Sequence, residues 1–198
     1  MRFIGFYNYT VILTYMSLIS GVVGMRFASL GRIGLAILCL AISGICDLFD
    51  GAVARTKKNR SEDEKGFGIQ LDSLCDVVCF GVFPAVILYF CGVQSVVGIA
   101  LLAFYVLCAV IRLAFFNVLE AKRQQTEGGS TKGFRGLPVT TASMAFPFFY
   151  LIGLFLPADV MLVINHILPL LIGVLFILDF RCPKIDISWL FRKSSDKK

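Results

Sequence analysis

Charge is scarce in this sequence. Only 16% of its 198 residues are Asp, Glu, Lys or Arg, against 58% hydrophobic residues and a mean hydropathy of +0.83. A soluble domain of this length needs more polar surface than that, so the composition places the chain in a membrane. No basic strip interleaved with aromatics accompanies the net charge of +6. That excludes nucleic acid as a partner and leaves the loops of a membrane protein as the place where basic residues gather. No C-x-x-C pair occurs among Cys39, Cys46, Cys75, Cys79, Cys91, Cys108 and Cys182, most of which lie in apolar runs. They read as small buried hydrophobes rather than metal ligands or disulfide partners. No small-residue cleavage site follows residues 1–9, so the first span is expected to stay in the mature protein. No internal repeat relates the two halves, which speaks against the inverted-repeat transporters.

What is abundant is apolar sequence in long runs. A helical span takes about 20 such residues, and six stretches can be read, near 9–27, 32–53, 69–91, 96–119, 138–156 and 160–180. The expected fold is an all-α integral membrane protein, one domain over 1–198 built as a bundle of about six transmembrane helices, because an open sheet edge does not survive in lipid. Segments 55–68 and 120–136 read as polar loops, and 181–198 as a basic tail with Trp189 near the interface. Arg55, Lys57, Lys58, Arg60 and Lys65 fill the second loop, and Lys122, Arg123, Lys132 and Arg135 the fourth. The third and fifth loops hold no basic residue; Arg26 and Arg32, at the first, run against the trend. This bias places both termini in the cytoplasm of a multi-pass cell-membrane protein.

Four carboxylates break the apolar pattern: Asp47, Asp50, Asp72 and Asp76, in or at the cytoplasmic ends of spans two and three. An ionised carboxylate in a membrane segment is expensive unless paired, hydrated or bound to a cation. One such aspartate is readily a helix cap or a snorkelling end residue; four in this arrangement are not. Asp47 and Asp50 are three apart, and Ala54 is seven from Asp47, so the three share a helix face. Asp72 and Asp76 are four apart on the next, antiparallel helix. Two such pairs aim four carboxylates at one point, a donor set suited to hard divalent cations that also hold substrate phosphates. Gly51 and Ala54 remove bulk beside the carboxylates, Gly68 does so one turn before Asp72, and Arg55 is a planar donor for phosphate oxygens. Each glycine taken alone reads as helix packing; their position among the aspartates gives them a second meaning.

The stretch Asp47-Leu-Phe-Asp50-Gly51-Ala-Val-Ala54-Arg55, twelve residues, then Gly68-Ile-Gln-Leu-Asp72-Ser73-Leu-Cys-Asp76 resembles the signature of the CDP-alcohol phosphatidyltransferase family, D-x2-D-G-x2-A-R followed by G-x3-D-x3-D. The spacer runs a few residues longer than the family's usual one, the excess falling in the polar run 61–65. The resemblance implies a six-helix, dimeric membrane enzyme open to the cytoplasmic leaflet. Asp47, Asp50, Asp72 and Asp76 would then hold two Mg²⁺ or Mn²⁺ ions. Gly51, Ala54, Arg55, Gly68 and Ser73 would bind the CDP-lipid, and Asp76 would be the general base.

Three further stretches resemble the serine-using branch of that family, the phosphatidylserine synthases: Gly68–Asp76 continued by Phe80-Gly-Val-Phe-Pro-Ala85, Ile111-Arg112-Leu-Ala-Phe115-Phe-Asn117-Val118, and Phe134-Arg135-Gly136-Leu-Pro138. Phe115 stands where a second arginine is common there, and Thr140 where another proline is. The implied reaction takes CDP-diacylglycerol and L-serine to phosphatidylserine and CMP. Arg112, Asn117 and Arg135 are the candidates for acceptor binding, since a zwitterionic acceptor needs a donor for its carboxylate. Arg112 could instead only pair with an aspartate, and Asn117 only cap its helix. His166, without a motif around it, reads as a helix-to-helix hydrogen-bonding residue. Two other functions remain open from the residues: the same transfer to glycerol 3-phosphate, inositol phosphate or an amino alcohol, and a cation transporter whose aspartates bind the transported ion.

Overall fold

The computed structural model describes residues 5–54, 57, 61–125 and 134–182, with backbone alone at 54, 123–125, 134, 135, 181 and 182. Trp189 and most of the basic tail lie outside them. A 3-10 turn at Tyr9–Val11 leads into α1 (Ile12–Ser29), followed by α2 (Ile33–Ala54). The third span is composite: α3 (Glu62–Asp76), a π-helical stretch (Val77–Val82) and α4 (Phe83–Phe90). Then come α5 (Val96–Gln125), α6 (Ala142–Gly153) and α7 (Ala158–Ile177).

Among the described residues, five helical segments are long and apolar enough to cross a membrane: Tyr9–Ser29, Ile33–Val53, Glu62–Phe90, Val96–Lys122 and Ala158–Ile177. The expected fifth span is a shorter apolar helix, Val139–Gly153 with Pro147 inside it. The protein is thus an all-helical, multi-pass membrane bundle.

Gly31, at φ +71°, closes the turn between α1 and α2, and the Arg32 N–H reaches back to the Phe27 carbonyl. So short a turn forces the two helices to lie antiparallel and adjacent. Their seam is made of small and hydroxyl residues. Ser17 and Ser43 each donate to the other's backbone carbonyl, at 3.2 and 2.9 Å, and Ser20 donates to the Cys39 carbonyl at 2.9 Å. Small residues let helices approach closely in lipid, where exclusion of water no longer drives association. The other face of α2 meets α6 at Gly44, where a Cβ would fall 2.1 Å from Ser143 Oγ. The composite span is the most buried of the five. Its Phe83 fills a notch at Gly24, and Gly81 faces Ala109 of α5. Gly173 lets α7 settle against the Tyr105 backbone of α5.

The third span begins at Glu62, so much of the expected loop 55–68 is helix. Ser61 accepts from the Glu64 N–H, and Glu64 accepts from the Ser61 N–H. This capping box satisfies two donors that a helix start leaves bare. Glu62, Asp63 and Glu64 suit the positive end of the helix dipole, and Lys57 binds Glu64 at 3.0 Å. The extra residues of the spacer therefore wind on additional helix, over which Phe6 packs edge-on against Phe67.

A strand pair was not expected. Phe134–Arg135 (β1) pairs antiparallel with Arg181–Cys182 (β2), and the Gly136 N–H donates to the Phe180 carbonyl at 2.7 Å. The pair tethers the chain after α7 to the turn that precedes α6. Of the cysteines, Cys39, Cys75, Cys79 and Cys108 are buried, Cys46 and Cys91 partly so, and all six are free thiols. His166 does not bridge helices through Nδ1: that atom pairs with the Leu162 carbonyl of its own helix at 2.8 Å.

Candidate metal centre

The last turns of α2 carry Asp47 and Asp50, and the last turns of α3 carry Asp72 and Asp76. The antiparallel path brings the two pairs together. A carboxylate oxygen from each of Asp47, Asp50 and Asp72 lies within 4.8 Å of the other two. Asp47 also faces Asp76, and Asp50 faces Asp72, at hydrogen-bonding range. Asp76 is only 8% exposed. Like charges this close, in a site of low dielectric, repel strongly unless a proton or cation lies between them.

Asp72 Oδ1 is buried and has no hydrogen-bond partner. A buried acceptor left bare is costly, and a bound cation would remove that cost. The donor set is oxygen alone, the preference of Mg²⁺, Mn²⁺ and Ca²⁺ rather than of thiolate-seeking metals. The residues therefore fit a hard divalent cation.

One contributor escaped the sequence reading. Thr14, on α1 and 6% exposed, donates from Oγ1 to Asp50 Oδ2 at 3.3 Å. Its signal was present: Thr10, Thr14, Ser17, Gly21, Gly24 and Ala28 recur at alternating steps of three and four, and all are buried. In a membrane helix such a stripe faces protein rather than lipid.

Gly51 lies one turn beyond Asp47 in α2, and Gly68 one turn before Asp72 in α3, so each shares a helix face with its aspartate. Ala54 ends α2, with its side chain outside the described residues; Arg55 is wholly outside them. Ser73 is buried and donates to Asn117 Oδ1 at 2.8 Å, joining α3 to α5. Asn117 sits well inside α5, so it does not cap that helix.

Arg112 is buried in α5, where its Nε donates to the Leu137 carbonyl at 3.1 Å and its Nη2 to the Gly136 carbonyl at 3.4 Å. Gly136 has φ +73°, and a Cβ there would lie 2.9 Å from the Leu178 carbonyl oxygen, so only glycine fits. Arg112 thus grips the Gly-Leu-Pro turn at the same end of the bundle as the aspartates. Arg135 contributes backbone to β1, and its side chain is not described. Phe115 is exposed on the outside of α5, and Thr140 lies in the 3-10 turn Val139–Thr141, its carbonyl taken by Ser143 Oγ. The departures at these two positions do not disturb the aspartate cluster.

Comparison with known proteins agrees with this geometry. The archaetidylserine synthase of Methanothermobacter thermautotrophicus is 32% identical over 176 residues, covering 88% of this chain and 69% of its own. A CDP-diacylglycerol–serine O-phosphatidyltransferase of Methanocaldococcus jannaschii is 35% identical over 172 residues, covering 86% and 71%. The Saccharomyces cerevisiae enzyme of the same name is 45% identical over 100 residues, which is half of this chain but 35% of that one. No solved structure matches the chain significantly. The model of the CDP-alcohol phosphatidyltransferase family matches residues 7–177, and the chain belongs to that family.

Proposed function

We propose that this protein transfers a phosphatidyl group from CDP-diacylglycerol to the hydroxyl of L-serine, releasing phosphatidylserine and CMP. The observation that carries the reading is the converging aspartate cluster with its bare Asp72 oxygen. The acceptor rests on the relatives, each named for serine. The first of them is named for archaetidylserine, so an ether-linked CDP-lipid is the second reading of the donor, with the acceptor unchanged.

In this reading Asp47, Asp50, Asp72 and Asp76 hold two divalent cations, Mg²⁺ or Mn²⁺. When bound, these would supply the positive charge that neutralises the diphosphate and favours displacement at phosphorus. Gly51, Ala54 and Gly68 leave room for the cytidine, Arg55 binds phosphate oxygens, and Ser73, fixed by Asn117, borders the same surface. Arg112, Asn117 and Arg135 orient the serine through its carboxylate and amine. Asp76 takes the proton from the serine hydroxyl. The serine oxygen bonds to the lipid-bearing phosphorus as the bond from that phosphorus to the bridging oxygen breaks, and CMP leaves with the electron pair. Holding both reactants in line supplies much of the acceleration.

Arg55, Lys57, Lys58 and Arg60 lie between α2 and α3, Lys122 and Arg123 in the last turn of α5, and Lys132 and Arg135 between α5 and α6, at helix ends on the side of the bundle where the cluster lies. This supports a site at the cytoplasmic face with both termini on that side. The chain acts as a single membrane domain, and as a homodimer.

The test is CMP release by purified protein given CDP-diacylglycerol or its ether analogue, with Mn²⁺ or Mg²⁺, across serine, glycerol 3-phosphate, inositol phosphate and ethanolamine. Serine-dependent release that stops with EDTA is the expected result. Release with another alcohol moves the acceptor. No release from folded protein with any acceptor overturns the assignment.

A further inference from the structure

The π-helical stretch Val77–Val82 begins directly after Asp76, and the Phe83 N–H donates to the Val78 carbonyl, five residues back. Such stretches are rare, occur often at functional sites, and need a local cause. Here the cause is Pro84. Proline has no N–H, so the carbonyl four residues earlier, that of Phe80, loses the donor an α-helix would give it. Phe80 is fully buried, and no water can replace that donor. The replacement comes from another helix: Tyr105 of α5, itself fully buried, donates its hydroxyl to the Phe80 carbonyl at 2.5 Å. The ring is held in turn by Phe146 of α6 and Phe176 of α7, at centroid distances of 5.8 and 5.6 Å.

The π turn sets a phase. It adds about one residue to the helical winding, so the two ends of the span are rotated by roughly 100° relative to an unbroken α-helix. The rotation is fixed by Cys79, inside the π stretch, against Gly21 and by Phe83, directly after it, in the notch at Gly24. Upstream lie Asp72 and Asp76. With the lower half locked by packing, the aim of the two aspartates depends on the extra winding being kept.

We propose that Tyr105 is a positioning residue for this site: by holding the Phe80 carbonyl it keeps the π turn, and the π turn points Asp72 and Asp76 at Asp47 and Asp50. Its consequence for metal binding rests on the reading of the cluster given above. Tyr105 touches neither substrate nor cation, and acts through the winding of a neighbouring helix.

The test uses the full chain in nanodiscs as wild type, Tyr105→Phe, Pro84→Ala and the double variant. Three quantities are read: the thermal midpoint, Mn²⁺ affinity by electron paramagnetic resonance, and maleimide labelling of Cys75 by mass spectrometry. Cys75 is buried beside Asp76 and reports the rotation of α3 without any metal. Tyr105→Phe is expected to lower the midpoint, weaken Mn²⁺ binding about tenfold and speed Cys75 labelling several-fold. Adding Pro84→Ala gives Phe80 an α-helical donor, so the double variant should regain the midpoint but neither Mn²⁺ affinity nor Cys75 protection. Recovery of all three in the double variant would reduce Tyr105 to a partner for a bare carbonyl and overturn the proposal. So would Cys75 labelling that stays at the wild-type rate in Tyr105→Phe. If the wild type binds no Mn²⁺, the metal reading fails, and Cys75 labelling still decides the role of Tyr105.

Discussion

The two halves of the third span, α3 and α4, are held by different means. α3 carries three acidic residues in its first turn and two aspartates further on, and it is fixed by hydrogen bonds: the capping box, the Lys57–Glu64 pair, and Ser73 on Asn117. α4 is wholly apolar and is fixed by volume, with Phe83, Pro84, Ala85, Ile87 and Leu88 all buried. Carboxylates crowded together repel, so they stay in place only if the backbone bearing them is anchored elsewhere. The packed half is that anchor, and the polar half can then carry charge that destabilises it. Substitutions in the two halves should therefore fail in opposite ways, one losing chemistry and the other losing structure.

The largest effect is expected at Asp76. Asp76→Asn should cut CMP release on the order of 10²–10⁴-fold, the range for removing a general base, while CDP-lipid binding is retained. A near-normal rate would remove Asp76 as the base. Asp72→Asn sharpens the comparison from the stability side. With EDTA present it removes a charge from a crowded, partly buried cluster, so the thermal midpoint should rise although activity is lost. A lower midpoint would mean that the cluster is stabilising without cations.

The packed half is tested at Gly24. A Cβ there would lie 2.1 Å from Phe83 Cζ and 2.8 Å from Cys39 Cβ. Gly24→Leu should cost about 1–3 kcal/mol or more, the usual penalty of overpacking, seen as a lower thermal midpoint. Activity per folded molecule should fall far less than in Asp76→Asn. If it falls as far, the two halves do not act separately.

Arg112 joins the two kinds of support, since it grips the Gly136–Leu137 turn and is the acceptor-binding candidate. Arg112→Ala should raise the serine KM roughly tenfold, in keeping with loss of a charge-assisted hydrogen bond, and leave the CDP-lipid KM nearly unchanged. Gly136→Ala strains the same turn but keeps the guanidinium, and so measures the structural share. Equal KM changes in the two variants would leave Arg112 a purely structural role.

Much of this arrangement could be read from the sequence, and for one reason: membrane helices make charge conspicuous. Asp47, Asp50, Asp72 and Asp76 stand out because apolar sequence surrounds them, and helical spacing alone predicts their faces. What escaped depends on contacts between helices or on departures from regular winding. Thr14 resembles any threonine until α1 is laid against Asp50. The π turn is invisible in the hydropathy, although Pro84 at its end marks where a carbonyl must look for another donor. The 55–68 segment looked like a loop because it is polar. Its Ser61 and Glu64, at the spacing of a capping box, were the signal that it starts a helix.

The smaller effects lie at single hydrogen bonds, one from α1 to α2 and one at the start of α3. Thr14→Val keeps shape but removes the donor to Asp50 Oδ2, which should weaken Mn²⁺ binding by about 1 kcal/mol, roughly fivefold. Thr14→Ser should restore most of it. If Thr14→Val binds Mn²⁺ like the wild type, α1 serves only as packing at this end. Smaller still for function is Ser61→Ala. Loss of the cap should cost about 1 kcal/mol, appearing as faster amide hydrogen exchange over the first turn of α3. Asp72 lies eleven residues after Ser61, on helix already held by Ser73 and by the π turn, so CMP release should not change. If it does, the first turn of α3 belongs to the catalytic surface, and the boundary between the polar half and its anchor lies closer to residue 61 than the packing suggests.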